Sequence, residues 1–169
     1  MAGNQGGITK RTIDRILADY LGPPMRELGF RRQGGGGRWQ RESEPGWQET
    51  VKTSASKRGP VEGIGNRFDL EYQVWPLTKR VSPFGHFLAR LTPEQQERFL
   101  ETDRRVTARF DHPEDYEVLW AAYADQESTG WEFRCLIEDD VHEWGRFIQP
   151  HLVDNYLSWW AERLRQLTG

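Results

Sequence analysis

A single cysteine, Cys135, is all the chain contains, so no disulfide can form within it, and its thiol suits a reducing compartment. Long apolar runs are missing too. None approaches the roughly 20 residues needed to cross a bilayer, and Met1 to Lys10 lacks the apolar stretch of a signal peptide. These absences predict a cytoplasmic protein without membrane contact. Apolar residues make up only 36% of the chain, and mean hydropathy is -0.82. Eight Trp, eight Phe and five Tyr nevertheless supply large apolar area from few positions. A disordered chain would be poor in aromatics, so the composition predicts a folded domain with a small, aromatic-heavy core.

The usual signatures of catalysis are also missing. No Gly-x-Ser-x-Gly elbow occurs. His142-Glu143-Trp144-Gly145-Arg146 begins like a zinc-protease helix but carries Arg where the second His is required. The run Gly34–Gly37 follows a helical pattern and precedes a strand. That is the reverse of the strand-loop-helix order that aims amides at phosphate, and Gly63-Ile64-Gly65 fails likewise. Cys135 falls on the apolar side of a strand with Trp131 and Phe133, where burial would raise its pKa and leave it inert. No catalytic residue, metal or cofactor is expected.

Net charge is -3, but it is unevenly spread. Residues 1–90 hold 15 Lys and Arg against 9 Asp and Glu, a balance of +6; residues 91–169 hold 8 against 17, a balance of -9. The simplest expectation is internal complementarity between a basic sheet and acidic helices.

Periodicity divides the chain into elements. Residues 1–7 form a frayed tail, and residues 8–169 fit one domain. Ile13, Ile16, Leu17, Tyr20 and Leu21 recur at helical spacing from Thr9, and Gly22-Pro23-Pro24 should break that helix. A short turn through Met25 and Leu28 would then stop at Gly29. Trp39 sits in a strand, and a turn at Ser43-Glu44-Pro45-Gly46 leads into a second. There Trp47, Glu49, Val51, Thr53 and Ala55 share one face. Phe68, Leu70, Tyr72 and Val74 alternate with Arg67, Asp69, Glu71 and Gln73 in the clearest strand.

Thr92-Pro93-Glu94-Gln95 carries a capping box, and His112-Pro113-Glu114-Asp115 offers a second helix start. Trp131, Phe133, Cys135 and Ile137 alternate as a further strand. Asp140 should then cap a last helix, with Glu143 at N3, Pro150 as a kink and apolar residues from Val141 to Leu167. The fold class predicted is α+β: a four- or five-stranded, mainly antiparallel sheet with helices packed on one face.

Leu28-Gly29-Phe30-Arg31-Arg32, then Trp47 with Val51, then Phe68-Asp69-Leu70-Glu71-Tyr72 together resemble a bacterial domain-of-unknown-function family, numbered 4304. The resemblance covers roughly residues 8–75. It implies a bacterial protein with that fold pattern and little about chemistry. The family tends to place a Gln-Lys-Ser-like triplet where this chain has Thr53-Ser54-Ala55-Ser56-Lys57, and often an Asn where it has Glu71.

Two sets of candidate binding residues remain. On the polar sheet face stand Arg38, Lys52, Asp69, Glu71 and Arg134, framed by Trp75. A solvated face laced with ion pairs competes there with a ligand cleft. A partner surface is marked by Arg31, Arg32 and Trp160, the last on a helix whose apolar arc is wider than one core stripe. The leading expectation is a non-catalytic interaction module, like small immunity or accessory proteins that recognise a protein partner. A small-molecule enzyme using Lys52, Glu71 and Arg134 comes second. A nucleic-acid adaptor through Arg26, Arg31, Arg32, Arg38 and Arg41 comes third, since Glu42 and Glu44 follow at once and the pI is near 5.9.

Overall fold

The computed structural model describes residues 7–55, 65–75, 82–83, 92–109, 133–151, 157–158, 161–162 and 165. In chain order these form α1 (Lys10–Glu27), β1 (Arg31–Arg32), β2 (Arg38–Glu44), β3 (Trp47–Ala55), β4 (Asn66–Trp75) and β5 (Ser82–Pro83). Next come α2 (Pro93–Thr107), β6 (Phe133–Cys135) and α3 (Glu138–His151). The expected helix from His112 and the residues Trp131 and Trp160 lie outside the described residues.

The class is α+β and every strand pairing is antiparallel. Strands β1 to β4 form a meander, and the far edge of β4 is shared. β5 pairs with it at Glu71 and Tyr72, and β6 at Asn66 to Phe68. Among the described residues the antiparallel sheet is of the expected kind, and two-residue β1 and β5, too short to leave a periodic signal, extend it at its margins. Pro45-Gly46 turns β2 into β3, with Gly46 at φ 83. The Gly34–Gly37 run is the loop of the β1–β2 hairpin.

One sheet face is apolar. Trp39, Val51, Phe68, Leu70, Tyr72, Val74, Phe133 and Cys135 are buried there with Ile13, Ile16, Leu17, Leu21 and Met25 of α1 and Val141, Trp144 and Ile148 of α3. Trp144 is its hub. Its ring centroid lies 5.0 Å from both Phe99 and Phe133, and its indole N–H donates to the Arg134 carbonyl at 2.7 Å. Full burial of each such side chain stabilises by roughly 1.5–3 kcal/mol, so a few aromatics suffice for a core in so polar a chain.

Three helix ends show how local chemistry sets the frame. α1 does not break at Gly22-Pro23-Pro24; it runs through both prolines. Pro24 cannot donate to the Tyr20 carbonyl one turn back, and the Gln149 side-chain amide of α3 donates to that oxygen instead, at 2.9 Å. The helix then stops at Gly29, with φ 84, and the Phe30 amide donates to Met25 O at 2.9 Å in a Schellman closure. At α2 the capping box forms as expected: Thr92 Oγ1 accepts from the Gln95 amide at 3.2 Å and Gln95 Oε1 from the Thr92 amide at 2.9 Å.

At α3 the expected cap is displaced. The helix already begins at Glu138, and Asp140, fully buried, reaches back to accept from the amides of Leu136 at 2.7 Å and Ile137 at 3.0 Å. Helical side chains lean toward the N-terminus, so an acid inside the first turn serves the turn that precedes the helix. Arg109 donates to its other oxygen. Ile137, placed on the strand by alternation, is 42% exposed in the turn.

Candidate functional site

The strand register lays out the polar sheet face row by row. Arg38 stands opposite Lys52, and Lys52 opposite Glu71, with Lys52 Nζ 3.2 Å from the Glu71 carboxylate. The next row is Gln40, Thr50 and Gln73. With its amide oxygen turned toward donors, Gln40 accepts from Arg38 Nε at 3.0 Å, from its Nη2 at 2.9 Å and from Thr50 Oγ1 at 3.2 Å. Beyond it Gln48 faces Trp75, whose side chain closes β4 and is 62% exposed. Asp69, buried on this side of β4, accepts from the Leu70 amide at 2.7 Å.

Arg134 does not join this group. It pairs with Arg67 in the register, four residues along β4 from Glu71, a separation of roughly 13 Å at the strand rise. Its guanidinium sits 3.1 Å from Asp103 of α2. The three polar residues expected to act together as an enzyme site therefore divide into a Lys52–Glu71 pair and a remote Arg134–Asp103 pair.

On the partner surface, Arg31 and Arg32 are exposed in β1. Arg32 spends two donors on the glycine loop, Nε on Gly36 O at 3.0 Å and Nη2 on Gly35 O at 3.1 Å. It is a staple of the hairpin. Arg31 lies beside it on the same edge strand. Trp160 lies outside the described residues. Cys135 is fully buried, and desolvation pushes its thiol pKa up to about 12, against a smaller lowering by a backbone hydrogen bond from Asn66.

Three constellations escape a reading of the sequence. The first is Arg41, Glu49 and Tyr72 on the apolar side of the sheet. Glu49 is 3% exposed; Arg41 Nε donates to its Oε2 at 2.5 Å, and the Tyr72 hydroxyl donates to its Oε1. Arg41 also donates to Leu28 O at 2.7 Å and lies over the Phe30 ring at 4.4 Å, tying the end of α1 to the sheet. A signal existed: Glu49 alternates with Trp47, Val51 and Thr53, so it had to be buried, and a buried acid needs a cation.

The second links α1 to α3, where the Tyr20 hydroxyl and His142 Nδ1 are 2.7 Å apart. Gly145 permits this approach, because a Cβ there would lie 2.3 Å from the Tyr20 ring. The third is a cleft of about 390 Å³ between α2 and α3, bordered by Arg98, Arg105, Glu143, Arg146 and Phe147 among others. No sequence signal foretells it, since it depends on how the two helices pair.

Among the described residues no three His, Cys, Asp or Glu side chains converge as a metal would require, and no helix is long and apolar enough to cross a membrane. Compared with known proteins, the chain matches no family model, no curated protein and no solved structure.

Proposed function

We propose that the protein is a non-catalytic binding module of the immunity or accessory type, recognising a protein partner across the polar face of β2, β3 and β4. The observation that carries this reading is Trp75. It stands 62% exposed at the end of the longest strand, beside Gln48 and a face of ordered polar groups. Exposed Trp within a polar rim is the composition of an interface anchor. The polar neighbours favour recognition over catalysis, since Arg38, Gln40 and Thr50 already hold one another, as do Lys52 and Glu71. Preordered donors and acceptors lower the entropy lost on docking. A cytoplasmic setting suits the lone thiol of Cys135, which is buried.

Placing a photo-crosslinking side chain at position 75 in living cells tests the proposal. One discrete protein adduct is expected, weakened by Arg38→Glu and unaffected by Arg11→Glu on α1, which lies outside this face. Adducts that are diffuse, or indifferent to Arg38, would remove the sheet face from consideration.

A further inference from the structure

We propose that the cleft between α2 and α3 binds a small organic anion, its carboxylate or phosphate group held by Arg98, Arg105 and Arg146. Arg98 and Arg105 stand two turns apart on α2, on the same side of the helix, and Arg146 faces them from α3. The volume, about 390 Å³, lies in the range of small-ligand sites. Guanidinium groups present paired donors matched to carboxylate and phosphate oxygens.

The hydrogen bonding around these arginines leaves them available. Arg105 Nη2 is 3.7 Å from Glu143 Oε2, and Arg109 Nη2 is 3.8 Å from Glu143 Oε1, too far in both cases for a hydrogen bond. Glu143 Oε2 is buried and accepts none. The carboxylate therefore lies beside Arg105 without consuming its donors, while Arg109 is engaged by Asp140. Arg105 makes a 3.3 Å contact to Thr102 Oγ1, and Arg146 a 3.4 Å contact to the Tyr20 hydroxyl. Arg98 pairs with Glu94 at 3.1 Å, but those side chains are 65% and 80% exposed, and such a pair exchanges readily.

The charge balance also favours an anion. Glu101 lines the cleft as well, and with Glu143 it makes two carboxylates against three lining guanidiniums; Arg109, beside Glu143, is already balanced by Asp140. Phe147 and Pro150 supply an apolar wall for the body of the ligand, and the Phe147 ring is braced by Trp144 at 6.1 Å. Inorganic phosphate would leave that wall unused, which is why the ligand is an organic anion.

Phenyl phosphate, benzoate and inorganic phosphate, each titrated into the intact protein and followed by NMR, test the site. At least one organic probe is expected to saturate, more tightly than inorganic phosphate, with shifts centred on the resonances of Phe147 and Arg105. Tighter phenyl phosphate assigns a phosphate monoester, and tighter benzoate a carboxylate. Arg105→Gln with Arg146→Gln should weaken that binding at least about tenfold. Arg98→Gln, at an exposed position that folding does not depend on, should weaken it as well, and Arg11→Gln on α1 should leave it unchanged. The proposal fails if no organic probe saturates below about 10 mM, or if Arg98→Gln and Arg11→Gln bind alike.

Discussion

Replacing Glu49 by Gln should destabilise the protein severely although it removes no side-chain volume. Glu49 is 3% exposed, while the Arg41 side chain paired to it is 24% exposed and stays charged after the substitution. The new side-chain amide could still accept from the Tyr72 hydroxyl, so the hydrogen-bond count changes little. What changes is that a mostly buried guanidinium loses its counter-charge, a loss that typically costs about 3–5 kcal/mol. Against a total stability of roughly 5–15 kcal/mol this is a large fraction. At about 2–4 °C per kcal/mol for a chain of this size, the midpoint of thermal unfolding should fall by roughly 6–20 °C.

Two companions separate charge from packing. Tyr72→Phe removes a single hydrogen bond to a charged acceptor and should cost about 1.5–3 kcal/mol. The triple change Arg41→Met, Glu49→Leu and Tyr72→Phe removes both charges together with the hydroxyl that donates to Glu49, and should recover most of the loss. It should stop about 1 kcal/mol short, because Leu28 O then lacks its Arg41 donor. Urea unfolding followed by circular dichroism measures all three. A Glu49→Gln protein within about 1 kcal/mol of the parent would refute the reasoning, since it would mean that Arg41 is solvated well enough to need no partner.

Burial raises the Cys135 pKa from 9.0 to about 12, so the folded state keeps its proton where the unfolded chain releases it. Stability should therefore be unaffected by this thiol below pH 9 and fall by about 1.4 kcal/mol per pH unit from there toward pH 12. Comparing the alkaline unfolding of the parent with Cys135→Ala isolates the effect; identical slopes would contradict it. Gly145→Ala would place a Cβ 2.3 Å from Tyr20 Cδ2 and 2.6 Å from Cγ, forcing α1 and α3 apart. A loss of about 1–3 kcal/mol is expected, with a displaced His142 ring resonance as the Tyr20 contact lengthens. An unshifted resonance at full stability would show that the ring moves aside freely.

Where periodicity alone decides, the sequence was readable. Phe68, Leu70, Tyr72 and Val74 are all buried, and their alternate neighbours form the opposite face. Local chemistry was equally readable at Thr92–Gln95, because a capping box involves only four consecutive residues. Misplacement came wherever a distant group repairs a local defect. Pro24 looks like a helix end until Gln149, far along the chain, takes over the orphaned Tyr20 carbonyl. Asp140 looks like a cap until Arg109 and the amides of Leu136 and Ile137 compete for its oxygens. The candidate surfaces divide in the same way. The polar face follows from alternation, whereas the separation of Arg134 from Lys52 and Glu71 depends on which end of β4 receives β6. The arginine-lined cleft depends on helix pairing and leaves no trace in spacing.

The uneven charge of the chain bears on both proposed surfaces. If the basic first half and acidic second half neutralised each other, ion pairs should run between them. Among the described residues they hardly do. Lys10–Asp14, Arg41–Glu49 and Lys52–Glu71 lie within residues 1–90, while Arg98–Glu94, Arg104–Glu97, Arg109–Asp140 and Arg134–Asp103 lie within 91–169. Arg15–Glu138 crosses between them, at 3.0 Å and with both side chains more than half exposed. Among the described residues, then, ion pairs close mostly within one half. Exposed Arg31 and Arg38 belong to the first half, at the β1–β2 margin of the sheet face. A partner for that face should therefore be acidic where it meets this margin. The cleft is the local exception in the acidic half: there Glu143 serves two arginines at once, and three guanidiniums face a common space. Three guanidiniums beside an apolar wall favour a compact organic anion there over nucleic acid.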